Sequence, residues 1–203
     1  RVAGAATRAE ALLESLLALA RSDSTMAARQ PVDLAELVGD VVSERSERAD
    51  AAGIAVELEL GSGIVDGDRW LLERLVANLV DNGIAYNVRR GWLHVEIDTY
   101  RHDVVLVVSN TGDRLSPAQV AEIVKPFRRA GGRSRPGYGL GMAIAVSIAE
   151  AHGGSLKVRA RDDGGLEVEV RLPAGGRPET GPAVPDVAID ARPWARAPAS
   201  ASR

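Results

Sequence analysis

The spacing of apolar and polar positions divides the chain into helical and extended stretches. Residues 8–20 carry Leu12, Leu13, Leu16, Leu17 and Leu19, a broad helical stripe with the charged residues off it. Such a stripe must bury against something, either the other half of a helical hairpin or a dimer contact. A second helix is predicted from Asp33, where Asp33 and Glu36 follow Pro31 in the pattern of a capping box. It runs through Leu34, Leu37, Val38, Val41 and Val42 to a stop at Gly53. Residues 54–60 (IAVELEL) alternate strictly and predict a strand with one wet face. Asp68 is placed to cap a helix containing Leu71, Leu72, Leu75, Val76, Leu79 and Val80. The alternating stretches 92–99 and 103–109 predict a hairpin, and a Gly/Arg-rich segment follows over 112–138. An apolar helix over 139–152 closes at Gly153-Gly154, and a final hairpin turns at Asp162-Asp163-Gly164-Gly165. From Ala174 to Arg203 the chain is Pro, Ala, Gly and Arg without periodicity, the composition of a disordered tail.

This order of elements predicts an α+β fold, a two-layer α/β sandwich with a mixed sheet under one helical layer. There are 203 residues, enough for one good-sized domain with short flanks. At 45% hydrophobic and 26% charged the chain can build a core, and with 3% aromatic that core must be aliphatic. A net charge of −3 gives no concentrated basic face, so nucleic acid is excluded as the main partner. The absence of cysteine excludes disulfides, thiolate zinc sites and cysteine nucleophiles, and fits a reducing compartment. No apolar run approaches the roughly 18–20 residues of a membrane span, and no signal peptide opens the chain. The chain starts at Arg1 without Met, which reads as a fragment of something longer.

Three features carry candidate chemistry. On the helix from Asp68, Asn78 and Asn82 lie about 40° apart, beside the stripe of Leu72, Val76 and Leu79. They read either as surface asparagines or as a polar edge facing a ligand, with an amide oxygen available to a hard cation such as Mg²⁺. The run VVSNTG (107–112) is an apolar strand stopping at a small polar residue and a glycine, which by itself is only a strand end. Gly137, Gly139 and Gly141 in GYGLGM run straight into a helix, and bare backbone amides at a helix start suit a phosphate. The Walker loop is excluded because no Gly-Lys-Ser/Thr follows, and the Rossmann fingerprint because Met142 stands at its sixth position.

The order LLERLVANLVDNGIAYN, VSNTG, KPFRR, GYGLGMAI, AHGG and GGLEVEVRLP resembles the catalytic ATP-binding domain of bacterial sensor histidine kinases. That fold is shared with gyrase, Hsp90 and MutL ATPases, and the resemblance covers about residues 33–173. It implies an N box over Asn78–Asn87, a G1 box over Asn110–Leu115, an F box around Phe127 and a G2 box over Gly137–Gly141. Residues 1–30 then resemble the second helix of a dimerisation hairpin with its linker, residues 31–173 the ATP-binding domain, and 174–203 the tail. The closest flavour is the actinobacterial type paired with winged-helix response regulators, where Asn-Thr-Gly in the G1 box is familiar.

The resemblance implies ATP and Mg²⁺ as cofactors. Asn82 would hold the metal, Asn78 would contact the phosphates, and Tyr86 would pack near the adenine or ribose. Asn110 stands where the G1 aspartate reads the adenine amino group, and Gly112 lets the backbone approach the ring, with Leu115 closing the G1 box. Gly137, Gly139 and Gly141 would line the phosphates, and Leu140 would pin their loop. A lid between the G1 and G2 boxes would carry Arg128, Arg129, Arg133 and Arg135, guanidinium groups suited to phosphate oxygens. The chain departs from the family pattern at Asn110, Arg114, Lys125 and Ala85, and these departures bear on affinity. Asn110 in particular can accept from adenine or, flipped, donate to the guanine carbonyl, so weaker and less discriminating base recognition is expected.

The implied partners are ATP, a response regulator receiver domain, and the dimerisation hairpin of the same or a partner subunit, in a homodimer of the full-length protein. The implied location is the cytoplasmic portion of a membrane-anchored kinase. His94 and His102 lack the acidic and Arg-Thr-Pro neighbours of a phosphoacceptor, and His152 near a helix end reads as structural, so the accepting histidine is expected outside this chain. Two rivals are a nucleotide-binding regulator without phosphotransfer and an anti-sigma-type protein-serine kinase. The leucine-rich segment 8–20 favours the histidine kinase.

Overall fold

The computed structural model describes residues 29–123 and 140–175. The leucine stripe of 8–20, the tail beyond Gly175, and Phe127, Arg128, Arg129, Arg133, Arg135, Gly137 and Gly139 lie outside the described residues.

The chain enters through β1 (Gln30–Asp33) and turns at once into α1 (Leu34–Ser43). Asp33 caps α1 by accepting from the amides of Ala35 and Glu36, two of the four donors a helix start leaves unpaired. The single helix expected from Asp33 to Gly53 is two, because α1 ends at Ser43 and α2 (Ser46–Ala52) starts afresh. At the break the Ser46 hydroxyl donates to the Ser43 carbonyl at 2.8 Å. Arg45 Nε and Arg48 Nη1 converge on Asp81 Oδ1 at 3.1 and 2.9 Å, and the second segment is thereby aimed at the helix that carries Asp81. Gly53, at φ 68°, closes α2 in the left-handed conformation that glycine adopts without strain.

β2 (Ala55–Leu60) and β3 (Ile64–Gly67) lead into α3 (Arg69–Ala85), capped by Asp68 through the amides of Trp70 and Leu71. β4 (Trp92–Tyr100) and β5 (Asp103–Asn110) form the expected hairpin, and α4 (Pro117–Ile123), α5 (Gly141–Ala151), β6 (Ser155–Ala160) and β7 (Leu166–Pro173) complete the order. The main sheet runs β2-β4-β5-β7-β6. β2 pairs parallel with β4, and the remaining pairs are antiparallel, so the sheet is mixed as expected. β1 and β3 form a separate two-stranded ladder, with Val32 opposite Val65.

One face of the sheet carries the core. Leu93, Val95 and Ile97 of β4, Leu106 of β5 and Val170 of β7 pack with Leu37 of α1, Leu75 of α3 and Ile148 of α5, all at most 2% exposed. At about 25 cal/mol per Å² of apolar surface, such an aliphatic layer is the main favourable term in folding. The edge strand departs from its alternation. Ile54 is buried and Val56 half-buried, whereas Leu58 and Leu60 are 40% and 37% exposed, because the helical layer stops short of the second half of β2. The last described residues are held back onto the domain: the Ala174 amide donates to the His102 carbonyl and the Gly175 amide to that of Ile64.

Candidate functional site

Helix α3 spans the site from one end to the other. Asn78 and Asn82 sit one turn apart on it, half-buried. Across from them α5 begins at Gly141, and the absence of a side chain there is what allows the approach. A Cβ on Gly141 would lie 3.2 Å from Asn78 Oδ1 and 3.5 Å from Asn82 Nδ2. Leu140, buried at 6%, anchors this corner in the core. No side chain caps the start of α5 and its first turn holds no acidic residue, so its free amides and the positive end of the helix dipole face the two asparagines. Asn78 Nδ2 is shielded from solvent and has no partner among the described residues. A shielded donor without an acceptor costs about 1–3 kcal/mol. An anion at this corner would satisfy it.

One turn beyond Asn82, Tyr86 forms the C-cap of α3, its amide donating to the Asn82 carbonyl. Here the end of β5 comes in. A Cβ on Gly112 would lie 3.0 Å from the Tyr86 carbonyl oxygen and 3.5 Å from Asn110 Nδ2. Asn110 is buried at 6%, and its Nδ2 donates to the Thr111 carbonyl at 2.7 Å. Leu115 is half-buried just beyond. Asn78, Asn82, Tyr86, Asn110, Gly112, Leu140 and Gly141 therefore fall into two groups joined by α3: an anion-suited corner at Gly141 and a polar, walled corner at Gly112.

Two residues beside these corners, Asn87 and Thr111, fall within the boxes expected from the sequence but are given no role there. Asn87 donates through Nδ2 to the carbonyls of Gly83 and Trp92, both at 2.9 Å, and through Oδ1 accepts from the Val88 amide and the Thr111 hydroxyl. Thr111 Oγ1 also accepts from the Trp92 amide at 2.8 Å. The knot ties the end of α3 to the paired ends of β4 and β5, and a Cβ on Gly91 would overlap both Asn87 Oδ1 and Thr111 Oγ1. No spacing rule exposes it, since Asn87 and Thr111 are 24 residues apart. Helix α4 was missed too, although Ser116 and Gln119 carry a readable signal. The Ser116 amide donates to Gln119 Oε1 at 2.9 Å and the Gln119 amide to Ser116 Oγ at 3.3 Å, a capping box with Pro117 at the first helical position.

The histidines are accounted for by the fold. His152 is 4% exposed and caps the end of α5. Its Nε2 accepts from the Asp68 amide at 3.1 Å and its Nδ1 lies 2.8 Å from the Ile148 carbonyl, so Nδ1 bears the proton. Burial pushes it below the ordinary 6.5, against the opposing effect of the Ile148 bond. His94 Nε2 faces Glu59 at 3.6 Å across β4 and β2. His102 is exposed in the turn between β4 and β5.

Residues 67–176 match the family described as histidine kinase-, DNA gyrase B-, and HSP90-like ATPase. The sensor protein CutS of Streptomyces coelicolor is 41% identical over 170 residues, which cover 82% of this chain and 41% of CutS. The histidine protein kinase DivJ of Caulobacter vibrioides is 35% identical over 131 residues, 62% of this chain and 22% of DivJ. The chain thus spans less than half the length of these curated relatives. Among solved structures, a mycobacterial sensor histidine kinase, MprB, superposes with a TM-score of 0.66 at 29% identity, covering 74% of this chain and all of that one.

Proposed function

Since the chain belongs to the histidine kinase-, DNA gyrase B- and HSP90-like ATPase family, we propose that it is the ATP-binding kinase module of a sensor histidine kinase. The observation that carries this reading is the meeting of Asn78 and Asn82 with the uncapped start of α5 at Gly141, one turn of α3 from the Tyr86–Gly112 corner. A triphosphate needs donors and an adenine amino group needs an acceptor. The two corners offer them in that order.

In this reading the amides at the start of α5 and Asn78 Nδ2 donate to phosphate oxygens. The base lies against Asn110, with Gly112 giving it room beside Tyr86. Asn82 makes no side-chain hydrogen bond among the described residues, so its amide oxygen is available as a ligand to Mg²⁺. Mg²⁺ keeps much of its shell in water and phosphate oxygens and takes few protein ligands, so a single amide fits. When bound, the ion would neutralise triphosphate charge. The chain's own share of phosphoryl transfer is positioning and charge stabilisation.

The phosphoryl group would pass to a histidine on the dimerisation hairpin of the same or a partner subunit, within a homodimer, and from there to a response regulator receiver domain. This module would work in the cytoplasm as part of a membrane-anchored parent. Among the described residues no helix is long and apolar enough to cross a membrane.

Calorimetric titration with Mg-ATP tests the reading. The chain binds Mg-ATP, and Asn82→Ala loses the Mg²⁺-dependent part of that binding with its circular dichroism unchanged. Unchanged affinity in Asn82→Ala would remove its metal role. A wild-type chain that binds no ATP would overturn the whole assignment.

A further inference from the structure

The side chain of Asn110 is held in one sense. Its Nδ2 donates to the Thr111 carbonyl at 2.7 Å. Turned over, it would set Oδ1 against that carbonyl oxygen, two acceptors at hydrogen-bonding distance, which is repulsive. Oδ1 is therefore the end left over for a ligand, and among the described residues it takes no hydrogen bond.

What fixes the Thr111 carbonyl is the knot beneath it. Thr111 Oγ1 donates to Asn87 Oδ1 at 2.6 Å and accepts from the Trp92 amide at 2.8 Å, while the Thr111 amide donates to the Trp92 carbonyl at 3.1 Å. Asn87 is in turn locked by the carbonyls of Gly83 and Trp92. Each of these groups is committed within the protein, so neither Asn87 nor Thr111 has a side-chain group left for a ligand.

We propose that Asn87 and Thr111 are positioning residues for base recognition, holding the Asn110 amide with its oxygen toward the ligand. The neutral amide then behaves as a one-way acceptor. It accepts from an adenine amino group and repels the carbonyl oxygen that guanine places there, so an asparagine discriminates as a carboxylate would. The inference rests on the reading above that the base lies against Asn110. It also revises the expectation that a flipped Asn110 would admit guanine.

Equilibrium titrations of Mg-ATP and Mg-GTP on the wild type and five variants decide it. Asn110→Ala lowers the ATP/GTP affinity ratio, which reports the base contact itself. Thr111→Val, with the hydroxyl gone and the shape kept, lowers the ratio by about two- to tenfold, the span of one neutral hydrogen bond. Thr111→Ser keeps the hydroxyl and keeps the ratio. The double variant Asn110→Asp with Thr111→Val regains discrimination, because either carboxylate oxygen accepts and the Thr111 carbonyl, no longer held by the hydroxyl knot, can turn clear of the other. General loosening of the fold would not be rescued in this way. Should Thr111→Val not fold, Asn87→Ala carries the same expectation. If Asn110→Ala shifts the ratio while Thr111→Val and Asn87→Ala do not, the positioning role is wrong and the base assignment stands. If Asn110→Ala leaves the ratio unchanged, the base does not lie there and the reading beneath the proposal fails.

Discussion

Replacing His152 with glutamine should flatten the acid limb of the stability profile. His152 joins the end of α5 to the start of α3, the helix bearing Asn78 and Asn82, through the bond its Nε2 accepts from the Asp68 amide. Protonation would turn that acceptor into a donor facing another donor. Burial lowers the folded-state pKa below 6.5, so below that pH the unfolded chain binds more protons than the folded one. Stability is then fully present above about pH 6.5 and is lost as pH falls from there toward the folded pKa. For a native histidine that stays neutral, the loss at pH 5.5 reaches a ceiling of about 1.4 kcal/mol, the equivalent of one pH unit. A glutamine oxygen can still accept from the Asp68 amide but does not titrate. Urea unfolding at pH 7.5, 6.5 and 5.5 should therefore give His152→Gln a shallower acid loss than the wild type, by up to that amount. At pH 7.5 the variant should be less stable by no more than about 1–3 kcal/mol, the cost of an imperfectly satisfied buried group. Equal acid losses in the two proteins would refute the reasoning, because His152 would then not be the group whose protonation is linked to folding.

The other expectations concern the nucleotide corner and the phosphoryl acceptor. Gly141→Val places methyl groups where a Cβ already lies 3.2 Å from Asn78 Oδ1; ATP affinity measured by titration should fall about ten- to a hundredfold, the equivalent of a charge-assisted hydrogen bond. The chain should bind ATP without labelling itself, because His152 commits both ring nitrogens and His94 is buried beside Glu59. An acid-labile, base-stable label after incubation with radiolabelled ATP would show that one of the three histidines accepts phosphate.

Several elements were legible because their signals are local. Asp33 and Asp68 announce helix starts, and each caps through amides two and three residues on. The apolar spacing of α3 and α5 repeats within single turns, and the β4–β5 hairpin needs only a short turn between alternating runs. Asn78 and Asn82 were readable for the same reason, since one helix fixes their relation whatever surrounds it. The Ser116–Gln119 box was equally local but lay in a stretch read for its glycine and arginine content.

The remainder depends on pairings between distant residues. β1 and β3 are four-residue strands whose partners stand 31 to 37 positions apart, as Asp33 with Ile64 and Gln30 with Gly67; neither has enough alternation to declare itself. The contacts that tie the junction of α1 and α2 to α3 need Asp81, 36 residues beyond Arg45. The exposure of Leu58 and Leu60 follows from where the helical layer ends, which their own alternation cannot express. At the candidate site the sequence alone determined which residues could serve: the asparagines of one helix face, a strand end at Asn110, and glycines before a helix. Only the tertiary structure decided what they present. It brought Gly141 against Asn78, and through Asn87 and Thr111 it turned the Asn110 amide. Periodicity records which face of an element is buried. The direction of a hydrogen bond is set by the partner that folding brings to it.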